Sequence, residues 1–215
     1  MASEEPLFSA GEELRIVLFG RARVKNSARN IILGGTKFET TEKCKVETAF
    51  IEGQKVTVVD TPVLFLSDTN EEDVLKEFKK SISLAAPGPH VFLIVLDVRD
   101  KFTQELQKMV KLIRSTFGKN TMAYTMVLFS YENKLGIPIE DYFCTNKDLH
   151  NVIIQCHWKY HVFDITDKAP NPDQVKSLLN KINGMIERRG KDGSYTPEML
   201  QQAEKEAEKE AKQKA

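Results

Sequence analysis

Gly20, Lys25, Asn26 and Ser27 lie in LRIVLFGRARVKNSARN, Leu14 to Asn30, where an apolar, β-branched run stops at Gly20 and a basic loop leads to Ser27 at the head of an expected helix. Strand, loop and helix in that order are the setting in which a G-x-x-x-x-G-K-[ST] loop cradles phosphate groups. Laid on the pattern, Gly20 takes the first glycine, Lys25 the second glycine, Asn26 the lysine and Ser27 the hydroxyl. The second glycine lets backbone N–H groups curl around phosphates in a conformation that a side chain disfavours, and the lysine carries charge to the outer phosphates. Asn26 offers a neutral hydrogen bond there, and Lys25 points elsewhere because neighbours in a tight loop diverge. A charge-assisted hydrogen bond contributes about 1.5–3 kcal/mol, so loss of the lysine alone predicts a hold on a triphosphate about ten- to a hundredfold weaker.

Asp60 is the second residue of chemical interest. VETAFIEGQKVTVVD reads as two strands joined at Glu52–Gly53 and ending in Asp60, followed at once by Thr61-Pro62-Val63. An aspartate at the carboxyl end of a strand beside such a loop can hold magnesium through water. Alone it would read as a capping aspartate in a turn, and the loop remnant upstream favours the metal role. Thr41, in the polar stretch TKFETTEKC, stands where nucleotide-sensing proteins keep a switch loop.

Other groupings carry less. Arg21, Arg23, Lys25 and Arg29 make the loop basic enough to capture an anion such as a phosphoinositide head group, against the plainer reading of a solvated charged loop. Cys144, His150, Cys156, His157 and His161 do not match a zinc spacing. Nothing around Cys44 lowers a thiol pKa.

The elements that must position these residues alternate. Strands are expected at Leu14 to Phe19, across the hairpin, at HVFLIVLDV, at AYTMVLFS and at KYHVFDI. Helices are expected after Ser27 to Gly34–Gly35, over Asn70 to Ala86, over TQELQKMVKLIRSTFG, from Leu149 to Cys156 and from Asp173 to Arg188, with a long irregular segment after Ser130. HVFLIVLDV is apolar almost throughout, which suits a central parallel strand covered on both faces. The alternation predicts an open, mostly parallel, helix-covered sheet with its site at the strands' carboxyl ends. Residues 1–13 read as a flexible tail, 14–189 as the domain and 190–215 as a polar helical extension whose QQAEKEAEKEAKQKA lacks an apolar seam.

The chain's 215 residues, 41% of them hydrophobic, suffice for one core. Its 31 basic and 31 acidic residues cancel, so no nucleic-acid partner is expected. Three scattered cysteines and an acidic amino terminus suggest a reducing, cytoplasmic setting, with membrane contact at most peripheral.

At Ser83 to Val95, SLAAPGPHVFLIV, the chain resembles the apolar box of the immunity-associated GTPases, the AIG1-type or GIMAP family. LRIVLFG, ILGG, VVDTP, the run at Phe102 to Glu105, MVLF and YTPEML are similar to that family as well. The resemblance implies a Ras-like α/β P-loop GTPase fold, a carboxyl-terminal helical extension folding back on it, GTP or GDP with magnesium at the loop, and dimers or filaments across the nucleotide face. Carried over by position, Ser27, Thr41 and Asp60 keep the magnesium side. The base side departs: the family's T-R-x-x-D is Ser130-Tyr131-Glu132-Asn133-Lys134, so the guanine-reading aspartate falls on Lys134 with Asn133 as nearest substitute, and the last base-contacting asparagine is Asp164. Losses of about 1–3 kcal/mol at each of three positions would take a tight GTP site to millimolar or weaker.

The expectation is therefore a GIMAP-like pseudo-GTPase with no catalytic residue and no cofactor, acting as a binding or assembly module with family members across the switch face. Two alternatives stand beside it. One is an atypical GTPase that uses Ser27, Asp60 and a charge from Lys25 or a partner. The other is an anion or membrane-surface adaptor that uses the basic loop.

Overall fold

The structure, a computed structural model, describes residues 13–35, 43–63, 70–100, 103–132, 135–165, 171–190 and 193–214. In the first strand, β1 (Leu14–Gly20), the side chains alternate between two faces, and all are buried because helices cover both. Leu14, Ile16 and Leu18 join one core, and Val17 and Phe19 join the other. The remaining strands are β2 (Lys45–Ile51), β3 (Gln54–Asp60), β4 (Val91–Asp97), β5 (Thr125–Tyr131) and β6 (Tyr160–Asp164). Their order is β2-β3-β1-β4-β5-β6, parallel throughout except for the β2–β3 hairpin. Glu52 and Gly53 turn that hairpin with φ of 49° and 84°, which a two-residue turn matched to the strand twist requires.

The helices are α1 (Ala22–Leu33), α2 (Glu71–Leu84), α3 (Gln104–Phe117), α4 (Ile139–Cys144), α5 (Lys147–Gln155), α6 (Pro172–Arg189) and α7 (Pro197–Lys214). α1 and α6 cover one face of the sheet with Val24, Ala28, Ile32, Leu178 and Ile182. α2, α3 and α5 cover the other with Phe78, Ile113, Phe117 and Ile153. Asn70, Asn146 and Asn171 cap α2, α5 and α6 by accepting from backbone N–H groups of the first turn. Among the described residues no helix is long and apolar enough to cross a membrane.

Two expectations are corrected. The segment between Gly20 and Ser27 is not a loop, because α1 begins at Ala22 and the Lys25 N–H already donates to the Arg21 carbonyl at 3.0 Å. Residues 22–26 are Ala, Arg, Val, Lys and Asn, all able to hold helical dihedrals, and without a second glycine nothing favours the curled backbone. The segment after Ser130 is also less irregular than its composition suggests, since α4 forms within it and buries Phe143.

The Pro87-Gly88-Pro89-His90 turn is the seat of the carboxyl-terminal segment. Arg15 Nε donates to the Gly88 carbonyl at 2.6 Å, Arg189 Nη1 to the His90 carbonyl at 2.8 Å, and the Tyr195 N–H to the Pro89 carbonyl at 2.7 Å. The Tyr195 hydroxyl crosses the core to the Phe117 carbonyl at 2.6 Å. From there α7 runs back over α3, burying Ala203 against Gly118 and leaving its outer face in water. Gly88 sits at φ +142°, and a Cβ there would lie 2.0 Å from the Tyr195 carbonyl oxygen. Gly88→Ala is therefore expected to lose about 3 kcal/mol in a urea melt and to expose the stretch between α6 and α7 to limited proteolysis.

Candidate functional site

The carboxyl ends of β1, β3, β4 and β5 meet the start of α1, the place where a P-loop fold holds nucleotide. Gly20 closes β1 at φ +148°, and a Cβ there would meet the Val95 carbonyl oxygen at 2.7 Å, so the position admits only glycine. Immediately after it, α1 carries Lys25 and Arg29 on its inner face, one turn apart and 2% and 1% exposed. Both reach Asp60 at the end of β3. Lys25 Nζ donates to Asp60 Oδ1 at 2.8 Å and also to the Thr61 carbonyl, while Arg29 Nη1 donates to Asp60 Oδ2. Burial pushes the Lys25 ammonium below its usual pKa, and the Asp60 carboxylate opposes that shift.

A second layer of ion pairs lies toward β4 and β5. Asp97, 3% exposed, accepts from Arg23 Nη2 at 2.6 Å and from Arg99 Nη2 at 2.8 Å. Burial alone would raise the Asp97 carboxyl, but the Arg99 and Arg23 hydrogen bonds outweigh it and hold it below the usual range. Arg99 Nη1 goes on to Glu132 at 2.7 Å, and Arg21 pairs with Asp100 at 3.3 Å and Glu105 at 2.8 Å. The four basic residues expected to be free for an anion, Arg21, Arg23, Lys25 and Arg29, thus each meet a carboxylate.

The remaining expected site residues fall as follows. Asn26 accepts from Arg29 Nη2 at 3.2 Å, and the Ser27 hydroxyl donates back along the helix to the Arg23 carbonyl at 3.1 Å. Neither is brought to the Asp60 carboxylate. Asp164 ends β6, where its backbone is bracketed by the Gln174 side chain at 2.6 and 3.0 Å and its carboxylate takes the Tyr131 hydroxyl. Thr41 and Asn133 lie outside the described residues. Sequence reasoning missed the partnership of Arg29 with Asp60 and the Asp97–Arg99 pair. The helical spacing of Val24, Ala28 and Ile32, carried one turn back from Ser27, held a signal for the first.

Among the described residues no group of three or more His, Cys, Asp or Glu side chains forms a metal cluster. Burial, then Glu77, pushes the Cys44 thiol up to about 12, so it carries no thiolate at neutral pH. All three cysteines are free thiols.

The residues present do not fit a magnesium nucleotide as they stand. Both Asp60 oxygens face cations of the chain itself, and the Lys25 N–H, at the position of the cradle's second glycine, is spent on the Arg21 carbonyl.

A profile of the AIG1 family matches residues 14–215. Immune-associated nucleotide-binding protein 13 of Arabidopsis thaliana is 28% identical over 94% of this chain and 64% of its own length. Immune-associated nucleotide-binding protein 8 of the same plant is 30% identical over 92% of this chain and 60% of its own. Human GTPase IMAP family member 8 is 29% identical over 83% of this chain and 28% of its own, so the chain spans less than two-thirds of each relative. Among solved structures, Toc33 from Arabidopsis thaliana in complex with Mg2+ and GMPPNP has a TM-score of 0.58 at 15% identity, over 80% of this chain and 85% of that one. Aquifex aeolicus Era bound to GDP.AlF4- has a TM-score of 0.52 at 19% identity, over 79% and 56%. These likenesses show a Ras-like P-loop GTPase fold. With that sheet order and a family match that runs from β1 to the last residue, the chain belongs to the AIG1 family.

Proposed function

We propose that this chain is a pseudo-GTPase, a G domain with lost or very weak binding of GTP and GDP and no hydrolysis, which serves as a binding or assembly module. The observation that carries the reading is the cluster in which Lys25 and Arg29 occupy both oxygens of Asp60. A triphosphate with magnesium would have to unwind the first turn of α1, free the Ser27 hydroxyl from the helix and displace an ammonium and a guanidinium from Asp60. The contacts it would gain lack the lysine at position 26 that supplies charge in the P-loop pattern. With its cations already paired, the face keeps one arrangement whatever the nucleotide supply, which suits a fixed surface for an active family member or a second copy. For the chloroplast translocon components atToc33 and psToc159, which share the fold, dimerization is important for the GTPase activity, which supports assembly as the mode.

Calorimetric titration with GTP and GDP in magnesium, beside analysis of nucleotide released on denaturation, tests the reading. Silence at millimolar nucleotide is the expected result. Binding at micromolar or tighter would overturn it and favour an atypical GTPase built on Ser27, Asp60 and a partner-supplied charge. Lys25→Gly with Asn26→Lys restores the pattern and removes one cation from Asp60, so it is expected to recover measurable phosphate binding.

A further inference from the structure

At the opposite end of the sheet, where β5 and β6 begin, a cavity of about 360 Å3 opens beside α6. Lys159, Lys181 and Arg188 line it together with Trp158 and Tyr160, and no carboxylate does. The contrast with the nucleotide face is direct. There every cation described above meets an acid, whereas here, among the described residues, none of the three cations is in a salt bridge.

Their donors are only partly used. Lys159 gives hydrogen bonds to the Met122 and Ala123 carbonyls at 3.1 and 2.8 Å. Burial first, then the charges of Arg189 and Arg188, bring its pKa down to about 8. Lys181 Nζ lies 5.6 Å from the Tyr160 ring centre and donates to the Tyr160 carbonyl at 3.2 Å. Glu140, the acid on which the Lys181 charge acts, takes the Tyr160 hydroxyl instead. Arg188 stands exposed near the end of α6. Like charges gathered at a concave site with no carboxylate in its lining raise the local potential and draw an anion in.

A second observation points the same way. His157 and Trp158 both have left-handed backbone, with φ of 54° and 58°, although neither is glycine. The turn is held by hydrogen bonds from their N–H groups to the Ile154 and Ile153 carbonyls at 2.9 and 3.0 Å. It leaves the Trp158 indole 53% exposed at the cavity, with Ile154 exposed one turn before it. The two bonds form the C-cap of α5, and the cap sets Trp158 among the cavity's lining beside the cations.

We propose that this cavity binds a phosphate monoester, with Lys159, Lys181 and Arg188 on the phosphate and the Trp158 indole against the group that carries it. A doubly charged phosphate matches three cations better than a carboxylate would, and its oxygens accept from ammonium and guanidinium alike. The source is either a soluble phosphate ester or the headgroup of a membrane lipid.

Trp158 is the only tryptophan in the chain, so its fluorescence reports the site directly. The full chain is titrated with inositol hexakisphosphate, and separately with phosphatidylcholine vesicles with and without phosphatidic acid. A saturable change with the soluble probe is expected, weakened at least about tenfold in Lys181→Ala/Arg188→Ala. Lys181→Arg/Arg188→Lys should keep it, as should Lys205→Ala/Lys209→Ala on the exposed face of α7. A blue shift with phosphatidic acid but not with phosphatidylcholine alone assigns the lipid, and a response to the soluble probe alone assigns a soluble ester. No response to either, or equal affinity in Lys181→Ala/Arg188→Ala, overturns the proposal.

Discussion

Asp60→Ala is expected to lower folding stability by about 3–5 kcal/mol, because it removes the carboxylate shared by two buried cations. The side chains of Lys25, Arg29 and Asp60 are 3%, 1% and 12% exposed, so water cannot take the carboxylate's place without opening the end of the sheet. In a nucleotide-loaded GTPase the same change would act mainly on ligand affinity. Here it should act on the fold itself, reading as a lower urea midpoint at unchanged slope and a fall of about 10 °C in Tm. A loss within about 1 kcal/mol of wild type would show that the cluster contributes little beyond what its desolvation costs. The informative companion is Lys25→Met/Arg29→Met/Asp60→Leu, which replaces all three charges by apolar groups of similar length. Swaps of this kind in other proteins are neutral or stabilising by about 1–4 kcal/mol. The triple variant is therefore expected to melt at or above wild type while Asp60→Ala melts well below it.

The second large effect is with acid. His90 is 9% exposed; its Nδ1 accepts the Arg15 N–H at 3.0 Å, and its Nε2 lies 3.1 Å from Arg15 Nη2. A protonated ring would set N–H against N–H on both sides. Burial, then Arg15 and Arg189, lower its pKa to about 3. His161, 7% exposed, is lowered to about 4 by burial and then by Lys181. In the unfolded chain both titrate near the ordinary value of about 6.5, so below that pH the unfolded state takes up protons that the native state refuses. Stability is thus complete above about pH 7 and falls as pH drops through 6.5 toward the folded values. The two together should account for about 4 kcal/mol between pH 7 and pH 5. Urea melts across that interval read the slope directly. A flat profile there would mean that at least one ring is charged in the native state, which would undo the account of the His90 seat.

Much of the architecture was legible in the chain. The apolar run of β1, the nearly unbroken apolar run of β4 and the Glu52–Gly53 hairpin are local signals, and local physics suffices to read them. The box at Pro87 to His90 marked the family, although its physical role as the seat for Tyr195 depends on contacts with residues far along the chain. α4 was less legible because a helix of 6 residues carries too little periodicity to stand out from its polar surroundings.

The candidate site divides in the same way. From residue types and spacing came the P-loop position, the mismatches at Lys25 and Asn26, and Ser27 and Asp60 as remnants, while the departures on the base side were implied by the family resemblance. What residues 21–26 would do in place of a loop did not follow from them, since Ala-Arg-Val-Lys-Asn can line a turn or continue a helix at nearly equal local cost. Tertiary structure decided it. Once β3 carries Asp60 to the foot of α1, a carboxylate 35 residues away in the chain stands within reach of Lys25 and Arg29 only if both lie on one helical face. With these charges buried, separating either cation from the acid would cost about 3–5 kcal/mol, so the pairing holds residues 22–29 in the helix.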